Sequence, residues 1–174
     1  MQNDFDRQRI LGIDPGTNHT GFALVAAKRA NPCHFSDYLV ADAGVCRANP
    51  RHPLMRRTAD LHDTMYSLIK EMQPNVCVLE KAFVGVNPQS ALKLGQLRGA
   101  FISAAARCGI DVLEVAPTTV KKNITGYGHA DKESVAQVLK ATIGFDRGNL
   151  PPDVTDAAAI ALSCCMPYQV LAKL

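Results

Sequence analysis

Acidic residues stand at the ends of the most apolar segments of this chain. Asp14 closes the run Ile-Leu-Gly-Ile, and Glu80 closes Val-Cys-Val-Leu. Asp153 and Asp156 open the apolar stretch that follows a Pro-Pro pair. An ionised carboxylate at the end of a buried strand is costly unless it is paired or bound to a metal. Acids at three separated places therefore predict a fold that brings them together around a cation.

Runs of apolar residues bounded by turn signals predict the strands. Residues 9–14 form a short strand that a Pro-Gly turn ends, residues 20–27 form its hairpin partner, and residues 36–46 form a third strand. Residues 76–79 and 111–116 predict two more strands, the first a β-branched run typical of a strand buried on both faces. The sheet therefore begins as an antiparallel meander and continues with two parallel strands.

Helical spacing of apolar residues predicts the helices between and after these strands. An amphipathic helix covers residues 54–72, and a second helix at 89–107 has few polar positions. A helix that is apolar most of the way round must bury more than one face, and another subunit is one candidate for the second surface. A short helical turn at 118–123, a helix beginning near Asp131 and a last helix from about Asp153 to Met166 complete the chain.

The order of these elements indicates an α/β fold with a five-stranded mixed sheet and helices on both faces. With 174 residues, 47% of them hydrophobic, the chain suffices for one well-buried domain and is too short for two. We place that domain at residues 9–168, between an N-terminal extension at 1–8 and a C-terminal tail at 169–174.

Composition points to a reducing compartment and does not by itself demand a polyanionic partner. The net charge is only +3, although basic residues outnumber acidic ones between positions 81 and 140. The six cysteines form no Cys-x-x-Cys pair, as expected for reduced thiols. The first residues lack the pattern of a signal peptide, and no apolar run approaches the roughly 18 residues of a membrane span. We therefore expect a cytoplasmic protein.

The acids also have structural explanations that the sequence leaves open. Aspartate before Pro-Gly is a common turn former, which would explain Asp14. Asp153 follows two prolines and would serve as a helix N-cap, with Asp156 as a first-turn acid favoured by the helix dipole. Glu80 has no obvious local partner except Lys81, whose side chain should point the other way. Glu80 therefore gives the strongest indication of a metal site.

Carboxylates alone suit Mg²⁺ or Mn²⁺, which prefer oxygen ligands and leave positions open for water and phosphate oxygens. Two such ions roughly 3.5–4 Å apart can activate a water and stabilise the leaving oxygen in phosphodiester hydrolysis. The i,i+3 spacing of Asp153 and Asp156 puts both on one side of their helix. The residues alone thus predict a metal-dependent phosphodiester hydrolase.

Several segments, in order along most of the chain, are similar to the bacterial RuvC family of Holliday junction resolvases. The most specific is Ser-Ala-Leu-Lys-Leu-Gly-Gln-Leu-Arg-Gly-Ala in register with Glu80, whereas the Asp-Pro-Gly-Thr turn is shared across the ribonuclease H-like superfamily. The segments that carry the resemblance are 10–17, 79–83, 90–100, 120–122 and 153–161.

The resemblance implies a ribonuclease H-like fold in a homodimer that nicks two strands of a four-way DNA junction symmetrically, leaving 5′-phosphate and 3′-hydroxyl ends. Each subunit would hold two Mg²⁺ ions, replaceable by Mn²⁺, on the four acids named above. Lys121 and Lys132 match lysines that face the DNA, and Phe83 matches an aromatic residue that stacks on bases at the junction. A branch-migration motor of the RuvA/RuvB type is a further partner that the resemblance implies.

Three rival functions have to be compared with this one. Actin-like ATPases share a related fold and opening motif, but they need two such lobes and a second Gly-rich phosphate loop, and we find neither in this sequence. A non-catalytic nucleic-acid-binding protein with this fold should have lost acids, and all four are present. Other ribonuclease H-like nucleases act on RNA–DNA hybrids or single strands, and the residues alone separate these substrates poorly.

Overall fold

The computed structural model describes residues 8–81, 88–146, 148 and 150–165. Three strands come first, as the sequence predicts, and a 3₁₀ turn at Phe35–Asp37 precedes the third. Helices and strands then alternate up to the fifth strand, and three helices follow. The elements are β1 Arg9–Asp14, β2 His19–Ala27, β3 Tyr38–Arg47, α1 Leu54–Met72, β4 Val76–Glu80, α2 Pro88–Arg107, β5 Asp111–Val115, α3 Pro117–Thr125, α4 Lys132–Ile143 and α5 Pro152–Ser163.

The five strands form one mixed sheet in the order β3-β2-β1-β4-β5. Strand β1 is antiparallel to β2 and parallel to β4, and β4 is parallel to β5. The register places Asp14 opposite Gly21 and Ile13 beside Leu79. The predicted sheet, three antiparallel strands followed by two parallel ones, is confirmed.

Alternate residues of β1 and β4 enter two different apolar cores, because side-chain direction alternates along a strand. Ile10 and Val76 belong to the core that α3, α4 and α5 cover, and Leu11 and Cys77 belong to the core under α1 and α2. Even-numbered positions of both strands therefore face α5. The last even positions are Asp14 and Glu80, so both carboxylates project on that side.

Helix α5 lies directly on β1 and β2 because the facing residues are glycines on the strands and alanines on the helix. A Cβ at Gly12 would lie 2.1 Å from the backbone oxygen of Ala157, and one at Gly21 would lie 2.2 Å from that of Asp153. These distances leave no room for any side chain. The helix faces the strands with small buried residues, which include Ala157, Ala158 and Ala161.

Most helix and strand boundaries match the sequence prediction to within two residues. Strand β3 begins at Tyr38 rather than at 36, because the carboxylate of Asp37 accepts hydrogen bonds from the backbone N–H groups of Cys33 and His34, at 2.8 and 2.9 Å. Helix α3 extends beyond the predicted turn, since Pro117 occupies its first turn and Gly126 ends it with a φ of 80°.

All six cysteines are free thiols, and Cys46, Cys77 and Cys165 are buried. Burial raises the pKa of the Cys46 thiol to about 11 and that of Cys77 to about 12. Such thiols stay protonated and unreactive near neutral pH. Within the described ranges, no helix has the length and apolar character needed to cross a membrane.

Replacing Gly12 by alanine should destabilise the protein, because the added methyl group would meet the backbone of α5. We expect the free energy of unfolding to fall by roughly 1–3 kcal/mol, which is typical of an overpacked core. Thermal or urea unfolding measures this change. Gly44→Ala in β3 of the same sheet is the matched control, since the nearest atoms to its Cβ would belong to the side-chain ring of Phe22 and not to a helix backbone. Equal effects of the two substitutions would contradict the tight packing of α5.

Candidate active site

Three of the predicted acids line one cavity at the carboxyl ends of β1 and β4. Asp14 and Glu80 end these neighbouring parallel strands, and Asp156 reaches the cavity from the first turns of α5. Adjacent strands lie about 4.8 Å apart, so the two strand-end acids are neighbours. The cavity has a volume of about 300 Å³ and also receives Lys121 and Lys132.

Asp153 lies beside this cavity and is not among the residues that line it. Its backbone oxygen faces Gly21, and its charge acts on Asp14 and Lys132. The alternative role of Asp153 as an N-cap is wrong, because the residue at the N-cap of α5 is Pro151 and no side chain caps the helix. Asp153 is therefore a helical residue one turn before the cavity wall.

The turn after Asp14 is tied to its surroundings by two residues. The hydroxyl of Thr20 donates to the carbonyl oxygen of Gly16 at 3.0 Å. The guanidinium of Arg57, on α1, donates to the carbonyl oxygen of Thr17 at 3.2 Å and to the side-chain oxygen of Asn18. These contacts fix the backbone on the C-terminal side of Asp14 and hold its position in the cavity wall.

Burial and mutual repulsion make the cavity unfavourable for so many negative charges. Burial is the main cause that raises the pKa of Asp14 to about 7, and the charges of Asp156, Glu80 and Asp153 add to the increase. The pKa of Glu80 is also raised, first by burial and then by Asp156. Lys132 counteracts both increases. The site therefore favours the binding of additional positive charge.

Lys132 is the closest positive partner that the structure gives to these acids. Its ammonium group donates to the Oδ2 atom of Asp156 at 2.5 Å, although 75% of the side chain remains exposed. This hydrogen bond is the main cause of its raised pKa, and the charges of Asp14 and Asp153 contribute. Lys132 is the first residue of α4, which places it at the cavity.

Lys121 lines the cavity from α3. Its positive charge lowers the pKa of Glu80. The structure thus brings Lys121 and Lys132 to the site, as the resemblance led us to expect. Phe83, the third predicted DNA-binding residue, lies outside the described part of the chain.

The donor groups around the cavity fit a hard divalent cation. Its polar lining consists of carboxylates and lysines, without histidine or cysteine, and such oxygen donors suit Mg²⁺ and Mn²⁺. In the described ranges, no group of three or more histidine, cysteine, aspartate or glutamate side chains is arranged to hold a metal ion. The acids surround the cavity without converging on one point, and Asp156 is engaged by Lys132.

Arg98 supports the site in a way that sequence reasoning missed. The sequence favours an ordinary surface or interface charge, but Arg98 is only 6% exposed and forms an ion pair with Glu114 of β5. Its positive charge also lowers the pKa of Glu80. The signal was its helical spacing to Leu94 and Phe101, which places Arg98 on the inward side of α2.

Comparison with known proteins shows similarity along nearly the whole chain. A family model described as "Crossover junction endodeoxyribonuclease RuvC" matches residues 10–164. The protein of that name from Rickettsia africae (strain ESF-5) is 38% identical over 155 residues, which are 89% of this chain and 95% of the relative. Its counterpart from Desulfitobacterium hafniense (strain DSM 10664 / DCB-2) is 38% identical over 154 residues, 88% of this chain and 89% of the relative.

Solved structures show the same likeness. The structure of Thermus thermophilus RuvC in complex with Holliday junction substrate has a TM-score of 0.84 and 29% identity, and covers 94% of this chain and 96% of that one. The yeast mitochondrial Holliday junction resolvase Ydc2 has a TM-score of 0.66 at 16% identity, which shows a shared fold. The predicted ribonuclease H-like fold is confirmed by these neighbours.

Without divalent metal, the protein should lose stability as the pH rises, and Asp14→Asn should remove the part of that loss that Asp14 causes. Folding raises the pKa of Asp14 from 3.8 to about 7, so the folded state binds this proton more tightly than the unfolded state does. The resulting penalty is absent below about pH 4, grows up to about pH 7 and is complete above it, on the order of a few kcal/mol.

Thermal unfolding in a chelator measures this effect. Asp14→Asn should raise the melting temperature at about pH 8 and leave it nearly unchanged at about pH 4. A lower melting temperature of the variant at the higher pH would show that ionised Asp14 stabilises the metal-free fold, contrary to its burial among other acids.

Proposed function

Because the chain belongs to the RuvC family of crossover junction endodeoxyribonucleases, we propose that it resolves four-way DNA junctions by phosphodiester hydrolysis at the cavity described above. The observation that carries the proposal is the position of Asp14, Glu80 and Asp156 around one cavity that two lysines also enter. A junction is the favoured substrate because a solved family member is described in complex with Holliday junction substrate.

Asp14, Glu80 and Asp156, with Asp153 beside them, would bind Mg²⁺ or Mn²⁺, as one or two ions in each subunit. When bound, such ions lower the pKa of an attacking water and stabilise the charge on the leaving oxygen. The repulsion that raises the pKa of Asp14 supports this role, because it is relieved by added positive charge. Hydrolysis of the bond between the O3′ atom and phosphorus would leave 5′-phosphate and 3′-hydroxyl ends.

The two lysines would position the DNA backbone at the acids. Lys132 is largely exposed, so its ammonium group can leave Asp156 and contact a phosphate oxygen beside the scissile bond. Lys121 approaches the same cavity from α3 and offers a second phosphate contact. Such contacts supply much of the affinity for nucleic acid and fix its register without reading sequence.

Symmetric cutting requires two active sites, and helix α2 offers a surface for a second copy of this chain. One exposed face carries residues that recur with helical spacing and, apart from Gln96, are small or apolar: Leu92, Gly95, Gln96, Gly99, Ile102, Ser103 and Ala106. Lys93 and Arg107 are also exposed on this helix. A Cβ at Gly95 or Gly99 would meet nothing within 4 Å, so this face is open to another helix. The opposite face of α2 is buried in the core by Leu97 and Phe101. We therefore assign the exposed face of α2 to a homodimer, whose two-fold axis would relate the two sites.

Other expectations remain predictions from the sequence. They are the stacking role of Phe83, a branch-migration motor as partner, a cytoplasmic location, and the division into an extension, a domain and a tail. The free thiols support the reducing location.

The test of function is cleavage of a synthetic four-way junction in Mg²⁺, with linear duplex and RNA–DNA hybrid as competing substrates. The protein should nick the junction at paired positions and leave the other two intact. Asp14→Asn should slow cleavage by roughly a thousandfold or more, because metal-dependent charge stabilisation is lost. Junction binding by this variant should persist, since the lysines remain.

The matched control for this experiment is Asp63→Asn, which alters an aspartate that is 82% exposed on α1. It should cut at the normal rate. Equal cleavage of junction and duplex would overturn the junction assignment, and full activity of Asp14→Asn would remove Asp14 from the active site.

The dimer is tested by Leu92→Glu, which places a charge on the exposed face of α2, where Leu92 is 70% exposed. The variant should be monomeric by analytical ultracentrifugation at a concentration where the parent protein is dimeric, and it should lose paired nicking. Met55→Glu is the control, because Met55 is 76% exposed on α1, outside that face. A monomeric parent protein, or a dimeric Leu92→Glu variant, would contradict the assignment.

A further inference from the structure

A second cavity lies next to the active site and has no role in the function proposed so far. Its volume is about 650 Å³, and it is formed by the end of α3, the loop that follows it and residues along α4 from Ser134 to Ala141. The rings of Tyr127 and His129 contribute to one part of its lining, and Asp131, Ser134 and Gln137 contribute polar groups.

Tyr127 presents an unusually large aromatic surface. It is 62% exposed, and its ring centre lies 5.7 Å from that of His129 at an interplanar angle of 65°, an edge-on arrangement. One face of the phenol ring therefore has room for another flat ring. Exposed aromatic rings with this freedom are the usual platforms on which unpaired bases stack.

The backbone that carries Tyr127 is held in place by hydrogen bonds. The hydroxyl of Thr125 donates to the carbonyl oxygen of Lys121 at 2.9 Å and accepts from the backbone N–H of Tyr127 at 3.2 Å. Gly126 ends α3 with a φ of 80°, a conformation that suits glycine. The ring is thus presented by an ordered turn anchored to the same helix that carries Lys121.

Residues that are adjacent in the sequence line this cavity and the active-site cavity. Asp131 lines the second cavity, and the next residue, Lys132, lines the first. Lys121 lines the first cavity, and its charge acts on Asp131. A DNA strand with a phosphate on the two lysines would therefore carry an adjacent nucleotide past Tyr127.

The lining favours a neutral flat group over a phosphate. No lysine or arginine is among the described residues that line the second cavity, and Asp131 adds a negative charge. The amide of Gln137 offers hydrogen bonds to the edge of a ring, and the hydroxyl of Ser134, which donates to Asp131, can accept one. A nucleobase meets these requirements, whereas the sugar-phosphate backbone is better matched to the lysines.

We propose that the second cavity binds a nucleobase next to the scissile phosphate, stacked on the ring of Tyr127 and supported by His129. This inference rests on the proposed function, because the base belongs to the DNA strand that the active site cuts. It adds a base-binding position beside a cavity whose two lysines are proposed to contact phosphate. Tyr127 acts in binding and positioning, while the acids perform the chemistry.

The experiment measures binding of a four-way junction that carries 2-aminopurine at single positions beside the cleavage site, without divalent metal so that the DNA stays intact. Stacking on an aromatic ring quenches this fluorescent base. In the parent complex, one position should be quenched, and in Tyr127→Ala it should brighten. Tyr127→Ala should also bind about tenfold more weakly, whereas Tyr127→Phe should stay within about twofold of the parent protein.

Salt dependence separates stacking from phosphate contact. Tyr127→Ala should leave the slope of log affinity against log salt unchanged, because no counterion release is lost. Lys121→Ala should weaken binding and flatten that slope. Met55→Ala, which removes another large exposed side chain, from α1, should change neither property.

The outcomes distinguish this inference from the function on which it rests. If the parent protein cuts junctions but Tyr127→Ala binds like it with unchanged fluorescence at every position, the nucleobase site is overturned. If Tyr127→Ala flattens the salt slope as Lys121→Ala does, a phosphate contact replaces stacking. Failure of the parent protein to cut junctions overturns the proposed function, whereas quenching that depends on Tyr127 would still establish base stacking.

Discussion

The active site depends on the close contact between α5 and the first two strands. Gly12 and Gly21 remove every side-chain atom from the strand surface, so the helix backbone lies against the sheet. This contact places the first turns of α5 over the carboxyl end of β1. Asp156 consequently enters the cavity that Asp14 lines. A thicker interface would separate the acids, since any larger side chain between helix and sheet would move the two carboxylates apart.

The alternation of side chains along β1 and β4 accounts for the positions of the two strand-end acids. Asp14 and Glu80 each follow an even-numbered series of residues that faces α5, and the parallel pairing of β1 with β4 makes them neighbours. The electrostatic consequence is a cluster of partly buried acids whose negative charges repel one another. Lys132, hydrogen-bonded to Asp156, partly neutralises them. Arg98, paired with Glu114, adds positive charge from the opposite helical layer.

Local patterns predicted much of this arrangement, and contacts between distant segments account for what they missed. The strand-end positions of Asp14 and Glu80 followed from apolar runs, because alternation is a local property of the chain. The burial of Arg98 depends on a partner in β5, and the exclusion of Asp153 from the cavity wall depends on the rotation of α5. The exposure of Tyr127 likewise reflects the turn that Thr125 stabilises. None of these contacts is encoded in sequence spacing alone.

The ion pair between Lys132 and Asp156 would couple the binding of the two ligands of the proposed enzyme, the metal ion and the DNA. The same ammonium group cannot bind Asp156 and a phosphate at full strength, and Asp156 cannot give one oxygen to both lysine and metal. Either ligand must break this ion pair when it binds alone. When both bind, the free energy of breaking the pair is expended only once. By thermodynamic linkage, each would raise the affinity of the other by the same factor. With the proposed roles of Lys132 and Asp156, the enzyme would bind metal and DNA more tightly together than separately.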